Sequence, residues 1–241
     1  MSADAPAELT EEKAVEVWLK IAHEIDVLFD HIQDSSSFAV QPNSALAGDD
    51  AVSHPFRVSH CARQALNAGM DHMHALKSLI IDEPPVLHSA SDFTLLRAAL
   101  ENCAVAFWVL HPSDRAVRVE RALRCAAQNF YDADNALKVL GEPREHSLQS
   151  NLARVAEVAR RVDIGRPDAV RRLNSTAILQ YAEKYTAIQP SPYSMWQLCS
   201  GFAHGRQWAS LGMNEAEITP TEEEGILNVR LTTEYRRVLG P

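Results

Sequence analysis

Two charged residues four positions apart, Arg97 and Glu101, stand in the most apolar stretch of the chain. From about residue 91 to 111 the sequence passes through Phe93, Leu95, Leu96, Leu100, Val105, Phe107, Trp108, Val109 and Leu110. Between Phe93 and Leu110 only Thr94, Arg97, Glu101 and Asn102 interrupt it. A helix apolar on all sides is a central one, and charges there are costly unless paired and hydrogen-bonded. The spacing puts Arg97 and Glu101 on one face, in the order that adds least to an isolated helix. One reading is a buried ion pair that locks the helices together. The other is a polar pocket in which Arg97 fixes an anionic group and Glu101 serves as acid, base or acceptor.

A second constellation lies near the C-terminus. Trp196, Ser200, His204 and Trp208 follow one another by four, with Gly201 and Gly205 beside them. A glycine costs about 1 kcal/mol relative to Ala inside a helix, which is tolerable where another backbone comes close. His204 is therefore expected to face the 91–111 helix and meet Glu101, which would orient the imidazole and raise its pKa. No Gly-x-Ser-x-Gly turn surrounds Ser200, so the hydrolase elbow is missing. Arg115, Arg118, Arg121 and Arg124 gather at the start of another helix, where the dipole disfavours cations. They are expected as a solvated, salt-bridged face, or alternatively as a site for an anion or an acidic partner.

The ten histidines invite a metal test. Neither Glu-x-x-His nor His-Glu-x-x-His occurs, so the helical di-iron and zincin patterns are absent. Arg57, His60, Gln64, Asn67, Asp71, His74 and Ser78 make a polar helix face. His60 and His74 lie about 21 Å apart along it at 1.5 Å per residue and cannot share an ion. No metal and no cofactor are expected.

These residues must be held by a mostly helical chain. It has 241 residues, 46% of them hydrophobic, and a net charge of −9, which disfavours nucleic-acid binding. Thr10 with Glu11 and Glu12 starts a first helix whose face is Val17, Trp18, Ile21, Ile25, Leu28 and Ile32. Residues 34–53 read as a polar loop. A second helix runs from about His54 to Ile81, and Pro84-Pro85 follow it. After the apolar third helix and Pro112, Ser113 is expected to cap a fourth that closes at Gly141. Further helices are expected over about 145–162, 169–186 and from after Pro192 to Leu211. Ala216–Gly225 reads as acidic and turn-rich, and Leu227, Val229 and Leu231 as one short strand lacking a partner. Cys61, Cys103, Cys125 and Cys199 form no C-x-x-C and are expected as buried free thiols in a reducing cytosol. The acidic start does not read as a signal peptide, and the longest unbroken apolar run falls short of the ~20 residues of a membrane span.

The combination Leu96-Arg97-x3-Glu101, Trp108-x-Leu110-x-Pro112, Arg121-x2-Arg124 and Ser200-x3-His204-Gly205 resembles a pattern in uncharacterised, mostly helical bacterial proteins, over about residues 93–210. More distantly it is similar to HEPN-type helical bundles, which include toxins, RNases and non-catalytic relatives. The Arg-x(4–6)-His spacing of the catalytic members does not occur here. That resemblance implies a link to stress or defence without nuclease activity.

The sequence thus predicts an all-α bundle of six or seven helices over 1–215, with an acidic linker and a short strand or irregular tail over 216–241. The expected function is non-catalytic binding of a small ligand or protein partner in the cytoplasm, with Arg97, Trp108, Arg121, Arg124, Trp196 and Ser200 as ligand contacts. The rival is an ester or phosphodiester hydrolase, RNase-like, working through Glu101, His204 and Arg97. A homodimer is expected from the unpartnered strand.

Overall fold

The computed structural model describes residues 9–34, 36–82, 84–143 and 145–239. Among them the chain is mostly helical, with a small two-stranded sheet. Its elements are α1 Glu11–Gln33, α2 Ala45–Ser53, α3 Val58–Ile80, α4 Ser91–Leu110, α5 Arg115–Leu140, α6 Leu148–Arg160 and α7 Arg166–Ala169. They continue with α8 Ser175–Tyr185, α9 Pro192–Ala203, α10 Gln207–Met213, β1 Glu215–Pro220, β2 Leu227–Thr232 and α11 Tyr235–Leu239. The eleven helical segments among the described residues exceed the six or seven expected.

The excess has identifiable causes. The expected loop 34–53 contains α2, whose N-cap Ser44 accepts from the Ala47 amide. The expected helix from Pro192 to Leu211 is two helices, because Gly205 turns left-handed at φ 62° and ends the first. The expected 169–186 segment is likewise interrupted before Asn174, which caps α8 through the Ala177 amide. Asp114, not Ser113, caps α5, accepting from Ala116. At its far end Gly141 is left-handed, as the sequence predicts. β2 is not unpartnered: it pairs antiparallel with β1, from Glu215 opposite Thr232 to Pro220 opposite Leu227. The residues read as an acidic linker supply that strand, so the argument for a second subunit from an open strand falls.

The chain divides into two compact units: Met1–Asp34 with Gly69–Leu100 and Ala187–Pro241, and Ser35–Ala68 with Glu101–Thr186. The first unit has a core of Trp18, Leu76, Ile80, Phe93, Cys199, Phe202, Ala209 and Val238. Phe93 and Phe202 stack with ring centroids 3.8 Å apart. The carboxylate of Glu11 accepts from the amides of Tyr235 and Arg236 at 2.8 and 3.2 Å. It thereby answers the free N–H groups that open α11. Tyr235 returns a hydroxyl bond to the Ile80 carbonyl at 2.8 Å.

In the second unit α5 buries Val119, Ala122, Leu123 and Ala127, α6 buries Leu152, Val155, Val158 and Ala159, and α8 buries Ile178, Leu179 and Ala182. A polar clamp ties α2 to α5. Asp49 is fully buried, and Arg118 grips it with Nε to Oδ2 at 2.6 Å and Nη2 to Oδ1 at 3.0 Å. Arg115 Nε adds a bond at 3.2 Å. Gly48 makes room for it: a Cβ there would lie 2.7 Å from Arg115 Nη2.

Among the described helices α4 alone is long and apolar enough to cross a membrane, with a mean hydropathy of 1.4. Counting unbroken apolar residues missed this, because the average tolerates Arg97 and Glu101. α4 buries Asp92, Phe93 and Val109 completely, but only 33% of its apolar window is buried, so it is not the helix packed on all sides that the sequence predicts.

Candidate functional site

Arg97 and Ser200 meet within the first unit. Arg97 Nε donates to Ser200 Oγ at 3.0 Å, and its guanidinium lies 5.8 Å from the Trp196 ring. Above Ser200 opens a cleft of about 340 Å³ lined by Trp196, Gln197, Ser200, Gly201, His204, Arg206 and Trp208. The four-residue stripe therefore does converge, but through a bend instead of one straight helix. Gly201 lets α10 fold back onto α9, since a Cβ there would sit 2.7 Å from Ala209 Cβ and from the Trp208 ring. His204 is the exposed C-cap of α9, not the imidazole turned inward against the 91–111 helix that the sequence predicts. Among the described residues no hydrogen bond joins its imidazole to Ser200 Oγ.

Arg97 falls in the first unit and Glu101 in the second. Both are partly buried, so the expectation of charges sealed from water is corrected.

Trp108, Arg121 and Arg124 come together in the second unit. The Arg121 guanidinium lies between two aromatic faces, 4.8 Å from Trp108 and 4.3 Å from Tyr181, and donates to the Trp108 carbonyl. Arg124 covers Trp108 at 5.0 Å and donates to the carbonyls of Arg171 and Arg172. Burial, with Arg171 nearby, holds the Arg124 pKa below its ordinary value. The expected solvated arginine face is thus corrected: Arg118, Arg121 and Arg124 serve a carboxylate, carbonyls and aromatic rings. Those contacts explain why cations are accepted at an unfavourable helix end.

A second cleft is one the sequence did not locate. It lies wholly in the second unit, holds about 720 Å³, and takes its walls from the start of α3, the end of α4 and the middle of α5. Arg57, His60, Gln64 and Asn67 enter it from α3 and the residue before it. Their spacing by three or four, legible as a polar face, is what aligns them. Asn102 comes from α4, and Gln128 and Asn129 from α5. Phe56 and Phe130 meet edge to face with centroids 5.9 Å apart. Arg63 is anchored by a 2.6 Å bond to the Phe38 carbonyl. Among the described residues no Asp or Glu lines the cleft. The side chains of Arg57, His60, Gln64, Asn67 and Asn129 make no hydrogen bond with another described residue.

Among the described residues no group of three or more His, Cys, Asp or Glu could hold a metal ion. All four cysteines are free; against expectation Cys103 is exposed and Cys61 and Cys125 are only partly buried, while burial pushes the Cys199 thiol up to about 12.

Compared with known proteins, the chain matches no family model, no curated protein and no solved structure. The likeness to helical bacterial proteins therefore stands on its motifs alone.

Proposed function

We propose that the protein is a non-catalytic binding module of the cytoplasm whose second unit takes a small anionic molecule in the 720 Å³ cleft. The observation that carries this reading is the lining: two arginines, one histidine and five amides with, among the described residues, no carboxylate, in a chain of net charge −9. Of these, Arg57, His60, Gln64, Asn67 and Asn129 make no side-chain hydrogen bond with another described residue, so they are solvated at rest and available to a ligand. Arginine forks suit phosphate or carboxylate, and amides suit the hydroxyl and ring nitrogens of a polar body. Phe56 and Phe130 offer flat surface for a ring. The volume lies within the range usual for small-molecule sites.

The hydrolase reading draws on Ser200 and His204 sharing a cleft. Its nucleophile is poorly prepared, because Ser200 Oγ accepts from Arg97 and, among the described residues, meets no base. Nucleophilic catalysis needs the hydroxyl within reach of a group that can take its proton.

Calorimetric titration with adenosine monophosphate, pyrophosphate and a neutral nucleoside tests the proposal. The anions are expected to bind, the nucleoside to bind at least tenfold more weakly, and Arg57→Ala to weaken the anions tenfold or more with an unchanged melting profile. Equal binding by Arg57→Ala, or no binding of either anion at low salt, refutes it.

A further inference from the structure

The 340 Å³ cleft of the first unit has two walls, each braced by its own contacts. On α9 the Tyr193 ring stacks on Trp196 with centroids 6.1 Å apart, and the Tyr193 hydroxyl accepts from Gln197 Nε2 at 3.0 Å. Arg97 backs the same wall, its guanidinium 5.8 Å from the Trp196 ring and its Nε bonded to Ser200 Oγ. On the opposite wall the Trp208 indole lies against Gly201, where a Cβ would sit 2.7 Å from its Cζ2. Trp208 is still 59% exposed. Two indoles of fixed position therefore face one small opening.

The polar groups of this cleft favour an acceptor. Among the described residues no Asp or Glu lines it. Ser200 Oγ accepts from Arg97, and its own proton meets no acceptor among the described residues, so that O–H remains to donate. His204 and Arg206 are exposed, and their side chains make no hydrogen bond or ion pair with another described residue. Both stand at the bend where Gly205 turns left-handed between α9 and α10.

We propose that this cleft binds a flat aromatic carboxylate. The ring lies against the indoles of Trp196 and Trp208. The carboxylate accepts from the Arg206 fork, with the Ser200 hydroxyl and a ring N–H of His204 as further donors. A cationic ligand would meet Arg206 as a like charge, and a neutral one would leave its fork unanswered. The volume is near the lower end of the range usual for small-molecule sites, which suits one or two fused rings. Braced walls lose little freedom when a ring enters. Every residue involved belongs to the first unit, so the site stands whether or not the second unit takes an anion.

The test is titration of the isotope-labelled full chain with naphthoate, naphthylmethanol and cyclohexanecarboxylate, read from the indole N–H signals of its four tryptophans. Trp196→Phe and Trp208→Phe assign the two signals of the cleft. Naphthoate is expected to move both, while Trp18 and Trp108 stay in place. The alcohol tests the charge and the saturated acid tests the ring; each is expected to bind at least about tenfold more weakly, as is naphthoate to Arg206→Gln. If that variant does not fold, the three titrations of the parent chain decide. The proposal is overturned if either indole signal of the cleft is unmoved at saturating naphthoate. It is overturned equally if the alcohol or the saturated acid binds as tightly as naphthoate, or if folded Arg206→Gln binds naphthoate as the parent does.

Discussion

Replacing Asp49 with Asn keeps the side chain's shape and removes its charge from the clamp between α2 and α5. The native carboxylate is fully buried and receives both ends of the Arg118 fork and Arg115 Nε. Arg118 is 11% exposed, so its charge would lose its counterion where water cannot replace it. Breaking a buried pair from one side costs about 3–5 kcal/mol. Arg118 still donates Nη1 to the carbonyls of Pro112 and Ser113 at 2.7 and 2.8 Å, which places the expected loss near the lower end, about 3 kcal/mol. At roughly 2–4 °C per kcal/mol for a chain of this size, the melting temperature should fall by about 6–12 °C. Arg115 is 55% exposed, so solvent screens its share, and Arg115→Ala should cost below about 1 kcal/mol. Thermal melts followed by circular dichroism measure both. A double-mutant cycle with Arg118→Met should be non-additive, since the two residues share one network. The reasoning fails if Asp49→Asn melts within about 2 °C of the parent protein, or if Arg115→Ala costs as much as Asp49→Asn.

Two further outcomes are expected. Burial holds the Asp92 carboxyl above its ordinary pKa, with the His88 amide and imidazole only partly opposing. Well below about pH 4 both folded and unfolded chains are protonated there and Asp92 costs nothing. As pH rises the unfolded chain ionises first, so stability is lost until the native pKa is passed. Asp92→Asn, which can still accept the His88 amide, removes that loss. Its stability relative to the parent should rise from acid to neutral pH in urea melts, and a decrease would contradict the assigned direction. Gly201→Ala introduces a methyl 2.7 Å from Ala209 Cβ and the Trp208 ring. Overpacking of this kind costs about 1–3 kcal/mol; a variant as stable as the parent, with unchanged tryptophan fluorescence, would show that α9 and α10 do not pack so closely.

The parts of the fold that local chemistry dictates were readable. Thr10 caps α1 through the Lys13 amide, and Gly141 closes α5, because a cap is decided within four residues. α2 was not readable. Asp49 and Asp50 looked like loop residues, yet Asp50 accepts the Ser59 amide and hydroxyl at 2.9 and 2.5 Å, while Asp49 is answered from α5. The partners that make those carboxylates interior lie too far along the chain for a window to see. β1 escaped for the opposite reason. Every residue from Glu215 to Pro220 is exposed, so there is no inside face to impose alternation. The candidate site was legible by half. The polar face of α3 shows in the spacing of Arg57, His60, Gln64 and Asn67, but its conversion into a cleft needs Cys125, Gln128, Asn129 and Phe130.

The net charge of −9 is a poor guide to that cleft, for a physical reason. Five carboxylates of the second unit are engaged elsewhere. Asp49 answers Arg118 and Asp50 answers Ser59. Glu120 faces Arg124 and Arg171, Asp132 takes Gln128, and Asp134 meets Lys138 at 2.6 Å. Surface charges beyond a Debye length of about 8 Å are largely screened at physiological salt. An anion entering the cleft therefore meets Arg57, Arg63 and amide dipoles before it meets the acidic surface that dominates the total. This is why the Arg57→Ala titration needs a salt series. A local field should weaken steadily with added salt for the parent protein and less steeply for the variant, whereas binding governed by the whole-molecule charge would strengthen with salt for both.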